Sequence, residues 1–548
     1  MHMFCFQCQE TSSGRGCTFG GHCGKSEETA NFQDLLIFVL KGIGVAAERL
    51  SQAGVEPSKP LGEFLFESLF MTITNTNFDT ERFADRIEQA LAWKRPLLEE
   101  LRLRGSDAGL PDHATWDELD RSRFVTKAYR AGVLLTEDID ARSLRETVTY
   151  SLKGICAYAH HAAYLGAYNP EVTNFLVRAL STIALETDID KLFELALESG
   201  KFNLVSMEQL DRIHVKTYGT PEPRQISIGV RNRPSILVSG HDLVDLLELL
   251  EQTKDSGIDV YTNGEMIAGH YYPRLFAYDH LVANYGNAWW RQDVEFASFN
   301  GPILMTSNCI VPVEDSYKHR IYTTGVAGYP GIPHLDVKLP NGQKDFSRLI
   351  AQAKSCPPPV ALDEGTRPGG FNHAPLWTQV DKILGLVQKG ALKRVIVMGG
   401  CDGRDSKRVY YKEVAEQLPK DTLILTAGCA KYVFWKLPLG DIEGIPRVLD
   451  AGQCNDCYSL IAFAGKLAKH LGVGDINDLP VSYQVCWYDQ KAVAVFLSLL
   501  HLGVRNIRLG PSFPAFFSAR TIERLQRDYG VKTISTSQED VAQMLAGN

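Results

Sequence analysis

The chain has no excess of positive charge: 57 Lys plus Arg stand against 65 Asp plus Glu, a net −8, with charged residues at 22%. The basic footprint of an electrostatic nucleic-acid binder is therefore missing. No apolar run approaches the roughly 20 residues of a membrane span. The longest, at 35–40 and 492–500, are broken or ended by Lys41, Ser498 and His501, so no spanning helix is expected. The start, Met1-His2-Met3-Phe4-Cys5, lacks a basic stretch followed by an apolar one. No secretory signal is read there, Met1-His2 reads as a cloning remnant ahead of a native Met3, and a cytoplasmic location is expected. No fixed-period repeat or low-complexity tract stands out. No G-x-G-x-x-G follows an expected strand, so a separate reductase or ferredoxin is expected to supply electrons.

What is present is ordinary globular composition, 45% apolar over 548 residues, enough for about three or four domains. From 29 to about 217 apolar residues recur every three or four positions, as in 32–40 and 192–197, which predicts bundled helices. Pro221, Pro223 and Pro234 mark a boundary. Beyond it, short β-branched runs at 235–238, 259–261, 302–305, 394–398, 422–425, 482–485 and 506–509 alternate with helical patterns. That alternation predicts buried parallel sheets. The Pro-rich 356–359 and Gly-rich 365–370 separate two such units. The expected organisation is multidomain: an N-terminal cluster motif plus helical-bundle domain at 1–220, then two α/β domains at 221–360 and 361–548.

Twelve cysteines without an export signal argue for thiolates that bind metal or react, and against a disulfide framework. Cys5, Cys8, Cys17 and Cys23 form C-x2-C-x8-C-x5-C among glycines that let backbone wrap a compact group. Four thiolates at this spacing suit an iron–sulfur cluster or zinc. Gly24-Lys25-Ser26 is not the end of a phosphate loop, since Phe19 stands where the first glycine is required and no strand precedes it.

Cys309, Cys401, Cys429 and Cys454 each follow an expected strand or turn, and so do His241, Glu265 and Asp489. Ligands of open α/β sheets bind outside the carboxyl ends of strands, so these side chains can converge. A lone buried cysteine, a core histidine or a helix-capping carboxylate is the competing reading of each. Imidazole and carboxylate beside thiolate suit iron that carries oxygen as well as sulfur. Cys156, Cys356, Cys457 and Cys486 share no such setting and read as structural.

With these motifs, and with 29–35, 240–243, 262–266, 399–403, 450–456 and 490–493, the whole chain resembles the hybrid-cluster proteins, also called hydroxylamine reductases. The resemblance implies a [4Fe-4S] cubane on Cys5, Cys8, Cys17 and Cys23, in the short-spaced, anaerobe-type branch. It implies a hybrid [4Fe-2O-2S] cluster on His241, Glu265, Cys309, Cys401, Cys429, Cys454 and Asp489, with a persulfide on Cys401, and an architecture like carbon monoxide dehydrogenase. One departure matters: family members carry glutamate where this chain has Asp489, a methylene shorter.

The function implied is reduction of hydroxylamine to ammonia and water, with Lys491 and Tyr488 as candidate proton donors. The alternatives are nitric oxide reduction and a nitric oxide sensor that S-nitrosylates partner proteins. Carbon monoxide dehydrogenase chemistry adds nickel and a further intersubunit cluster, whereas a single N-terminal motif is present here. The expected partners are a small nitrogen–oxygen substrate and a separate donor, an NADH-linked reductase or ferredoxin, with no nucleic acid and no membrane. A monomer is expected.

Overall fold

Ser26, Asp79, Asp138 and Asp188 each present a side-chain oxygen to a free backbone N–H of the first turn, and so start the long helices Glu27–Gln52, Thr80–Leu103, Ile139–Tyr164 and Ile189–Tyr218. With Lys59–Phe70 and Pro170–Leu185 they pack their apolar faces into one bundle. The computed structural model describes residues 3–547; Met1 and His2, read above as a remnant, lie outside the described residues. Glu27–Gln52 is long and apolar enough to cross a membrane, but 89% of its most apolar stretch is buried inside the protein, which makes it the core helix of the bundle.

Two five-stranded, wholly parallel sheets follow. From edge to edge the first runs Leu281–Asn284, Asp259–Asn263, Ser235–Ser239, Ile303–Met305, Ile321–Thr323. The second runs Val448–Asp450, Thr422–Thr426, Arg394–Gly399, Val481–Val485, Arg508–Leu509. In both, the chain starts at the centre, steps twice to one side and crosses back to the other. That reversal opens a crevice at the carboxyl ends. Ser235–Ser239, Asp259–Asn263 and Thr422–Thr426 are buried at all five positions, as strands covered on both faces must be. Three short strands of these two sheets, Leu281–Asn284, Ile321–Thr323 and Val448–Asp450, have no counterpart in the sequence reading.

The last α/β unit is not separate from the bundle. Its helix Gln490–His501 packs on Ile139–Tyr164 and Ile189–Tyr218 and shares their apolar core. Two glycines make this approach possible. A Cβ on Gly154 would stand 2.9 Å from the Gln490 carbonyl oxygen, and one on Gly200 would stand 2.2 Å from that of Leu497.

Candidate metal centre

The carboxyl ends of the two sheets meet, and the donors sit where the strands stop. His241 and Glu265 follow Ser235–Ser239 and Asp259–Asn263 by two residues, and Cys401 follows Arg394–Gly399 by two. Cys429, Cys454, Cys309 and Asp489 come three or four residues after Thr422–Thr426, Val448–Asp450, Ile303–Met305 and Val481–Val485. Each of His241, Glu265, Cys401 and Cys429 is immediately preceded by a glycine at positive φ. Such a glycine turns the backbone sharply and clears room for a close approach. A Cβ on Gly428 would stand 2.6 Å from the Gly400 carbonyl oxygen.

Glu265 joins the two halves. Its Oε1 accepts the Cys429 N–H (3.1 Å), its Oε2 accepts the Cys454 N–H (2.8 Å), and Oε2 also lies 2.9 Å from His241 Nε2. Gln453 Nε2 donates to the His241 carbonyl (3.0 Å) and the Tyr432 hydroxyl to that of Gly264 (2.8 Å). His241 Nδ1 lies 3.0 Å from Ser307 Oγ and 3.2 Å from the Asn308 carbonyl, contacts that orient the ring. Ligand atoms of His241, Glu265 and Cys454 lie within 4.8 Å of one another, the only such trio among the described residues.

The electrostatics suit a bound cation. Burial pushes the thiols of Cys309, Cys401, Cys429 and Cys454 well above their ordinary range, and the neighbouring carboxylates add to it. Burial would raise Glu265 too, but His241 and Lys491 hold it well below the carboxylate range. Lys491 is buried; burial lowers it, but the Cys454 and Glu265 charges raise it more, and its Nζ donates to Asn308 Oδ1 (2.8 Å). Four thiols, an imidazole and two carboxylates, with Lys491 beside Cys454, Glu265, Asp489 and Cys309 and with Lys431 near Cys429, form a donor set that fits a polynuclear cation with soft and hard faces.

Asp489 caps a helix beside the thiols. Its Oδ1 accepts from the N–H groups of Lys491 (3.0 Å) and Ala492 (3.1 Å) and so caps Gln490–His501. Its Oδ2 makes no hydrogen bond among the described residues, while its charge acts on Cys401, Cys309, Cys454 and His241.

Tyr488 faces the other way. Its hydroxyl accepts from the Ala515 N–H (3.3 Å), its ring meets Phe516 edge-on, and its neighbouring charge is Cys8. It therefore does not present its hydroxyl to this donor set. Two residues of the bundle do stand here without a sequence signal. The buried Tyr158 hydroxyl lies against Cys454 without a conventional hydrogen-bond partner, and His161, with Nε2 unpartnered, neighbours Lys491 and His241.

The N-terminal motif docks beside this site. Cys5 and Cys17 pair backbone to backbone (3.0 and 2.8 Å), and burial pushes the Cys5 thiol up to about 12. Two buried ammoniums neighbour the thiols: Lys25, bonded to Gln33 Oε1 (2.6 Å), and Lys153, bonded to Gln7 Oε1 (2.7 Å). Cations set there suit a group that is anionic overall. The Gln9 N–H donates to the Tyr488 carbonyl (3.2 Å), Gln490 Nε2 to that of Gln7 (2.7 Å), and the Arg404 N–H to Glu10 Oε1 (3.0 Å). The segment between Trp487 and Gln490 thus touches both cysteine sets, since the Cys401 N–H donates to the Trp487 carbonyl (3.0 Å).

Fold and donors together define a class: two facing doubly wound domains on a helical bundle, with a buried site of soft and hard ligands between them. The model of the Prismane/CO dehydrogenase family matches residues 3–542, and the chain belongs to that family. Proteins named hydroxylamine reductase from Nitratidesulfovibrio vulgaris and Clostridium perfringens are 52% and 50% identical to it over 100% of both chains. Among solved structures it is similar to carbon monoxide dehydrogenase IV from Carboxydothermus hydrogenoformans (TM-score 0.58, 14% identity, 99% of this chain and 92% of that one). It is also similar to the carbon monoxide dehydrogenase of Thermococcus sp. AM4 (TM-score 0.57, 15% identity, 99% and 90%). The family makes this an iron–sulfur protein, and the structural likeness establishes its fold.

Proposed function

We propose that this chain reduces hydroxylamine to ammonia and water, taking up two electrons and two protons, at a hybrid iron–sulfur–oxygen cluster held by His241, Glu265, Cys309, Cys401, Cys429, Cys454 and Asp489. The observation that carries this reading is the Glu265 carboxylate, which ties donors of the first sheet to the backbone of Cys429 and Cys454 in the second. Relatives half identical over their full length and named hydroxylamine reductase support it. When bound, such a cluster supplies electrons and an iron able to act as Lewis acid. The chain's own residues do the rest. Lys491 holds a proton at Nζ, fixed by Asn308, with His161 beside it, and Tyr158 stands against Cys454. Cys401 follows the sharp turn at Gly400 and in this reading carries the persulfide.

Cys5, Cys8, Cys17 and Cys23 hold the [4Fe-4S] relay in this proposal. A separate electron donor serves a monomeric, cytoplasmic enzyme. In Cys8→Ala one iron–sulfur signal is expected to vanish and turnover with a protein donor to fall, while the second signal persists. Iron analysis and paramagnetic resonance check this; loss of all iron would show the two sites to be interdependent.

One feature favours nitric oxide as a second substrate, two molecules giving nitrous oxide and water with two electrons and two protons. An apolar cavity lined by Val397, Leu460, Val495, Leu499 and Val504 also has Cys401 and Cys454 in its wall, surroundings that suit an uncharged diatomic. Anaerobic kinetics with both compounds decides. Steady ammonia formation supports the first reading and steady nitrous oxide the second. Stoichiometric nitrosation of added proteins without either product would sink both in favour of a sensor.

Asp489→Glu is expected to raise hydroxylamine turnover about tenfold, because ligand placement typically changes activity 10–100-fold. The cost is a weaker helix cap, about 1 kcal/mol. Equal rates and equal oxygen sensitivity at matched iron content would leave Asp489 a capping residue only.

A further inference from the structure

Cys457 reads as structural in the sequence, yet it lines the same apolar cavity as Cys401 and Cys454. Its Sγ lies 3.9 Å from where a Cβ on Gly399 would sit. Cys454 opens the 3-10 turn Cys454–Asp456, and Cys457 begins the helix Cys457–Leu471 that continues from it. Residues three apart in such geometry share a face, with Cα atoms about 5 to 6 Å apart, inside the range of about 4.4 to 6.8 Å that a disulfide spans. C-x-x-C at a helix N-terminus is the thiol pair of disulfide oxidoreductases. Both side chains are buried.

We infer that Cys457 is a resolving thiol for Cys454, closing a reversible Cys454–Cys457 disulfide when peroxide attacks the site. In the first step the Cys454 sulfur gives two electrons to hydrogen peroxide; the O–O bond breaks, an S–O bond forms, and sulfenic acid and one water result. In the second, Cys457 displaces that oxygen; the S–S bond forms, the S–O bond breaks, and the hydroxyl leaves with the Cys457 proton as a second water. Two thiols and one peroxide thus become one disulfide and two waters. The gain is reversibility: a sulfenic acid without a nearby thiol goes on to sulfinic and sulfonic acids, which thiol reductants do not restore. The inference deepens the proposed function, resting on Cys454 as a cluster ligand for its effect on iron and not for the sulfur chemistry.

The test uses the purified full-length protein, treated anaerobically with hydrogen peroxide, quenched with an alkylating agent and digested with trypsin. Residues 448–466 form one tryptic peptide holding Cys454 and Cys457 and no other cysteine. The expected result is that this peptide loses two hydrogens, resists alkylation and reverts on adding a dithiol. In Cys457→Ala, and in the milder Cys457→Ser, Cys454 is expected to gain two or three oxygens, and iron re-uptake after reduction to fall severalfold. Over-oxidation of Cys454 to the same extent with and without Cys457, or a disulfide from Cys454 to another cysteine, would overturn the inference. If the disulfide forms without loss of iron, the inference stands and the reading of Cys454 as a ligand fails.

Discussion

Glu265→Gln is expected to cut hydroxylamine turnover by about 100-fold while the chain still folds, the upper end of what a displaced metal-site partner costs. Glutamine has the length of glutamate but only one acceptor oxygen. It can serve the N–H of Cys429 or that of Cys454, and its own NH2 then confronts the other. One buried N–H left unpaired costs about 1–3 kcal/mol, which a protein with a core this size survives. The charge is the larger loss. The carboxylate balances Lys491 and His241 and, in the proposed function, supplies a hard donor among four thiols. Turnover and iron content, with far-ultraviolet circular dichroism to verify folding, check this. A variant that keeps full iron and more than about half the activity would make Glu265 a tie between domains and not a metal ligand.

Gly200→Leu is expected to destabilise the protein by about 3 kcal/mol or more, at the upper end of overpacking costs. The obstacle is backbone: the Leu497 carbonyl oxygen and carbon stand 2.2 and 2.4 Å from the position of the new Cβ, and the Ser498 nitrogen 2.8 Å. Side chains swing aside, but these atoms cannot move without shifting the helix Gln490–His501. Two hydrogen bonds lock the same crossing, Ser498 Oγ to the Gly200 carbonyl (2.9 Å) and Asn203 Nδ2 to Ser498 Oγ (3.0 Å). The better helix propensity of leucine returns under 1 kcal/mol. Because Asp489 and Lys491 sit at the start of the displaced helix, thermal inactivation and loss of iron are expected at the same temperature. Gly200→Ala is the graded version, with a smaller loss of the same sign. An unchanged inactivation temperature in Gly200→Leu would refute the close packing.

The parallel sheets were readable because their central strands are buried on both faces and so written as unbroken β-branched runs. Leu281–Asn284, Ile321–Thr323 and Val448–Asp450 escaped because runs of three or four residues carry no periodicity. The candidate donors stood out because a residue after a strand end and a glycine sits in a recognisable place. The resemblance grouped them, since spacing alone does not say which strand ends face one another. Tyr158 and His161 were illegible for a different reason. They belong to a regular amphipathic helix whose apolar pattern explains every position without reference to a site made from residues 80 to about 330 positions later. Tyr488 was misdirected by adjacency: next to Asp489 in sequence, it points by the strand-end geometry to the opposite side, toward Cys8.

The burial of Gln490–His501 between Ile139–Tyr164 and Ile189–Tyr218 also sets the order in which a newly made chain can mature. Synthesis runs from the N-terminus, so the bundle leaves the ribosome with a groove where its partner helix belongs. That groove closes only after nearly the whole message has been read. The contact joins segments about 290 to 350 residues apart, the kind of distant pairing that slows assembly. Gln7 and Gln9 at the very start wait for Tyr488 and Gln490 in the same way. One late docking event therefore sets the N-terminal motif against the segment that also carries Asp489 and Lys491.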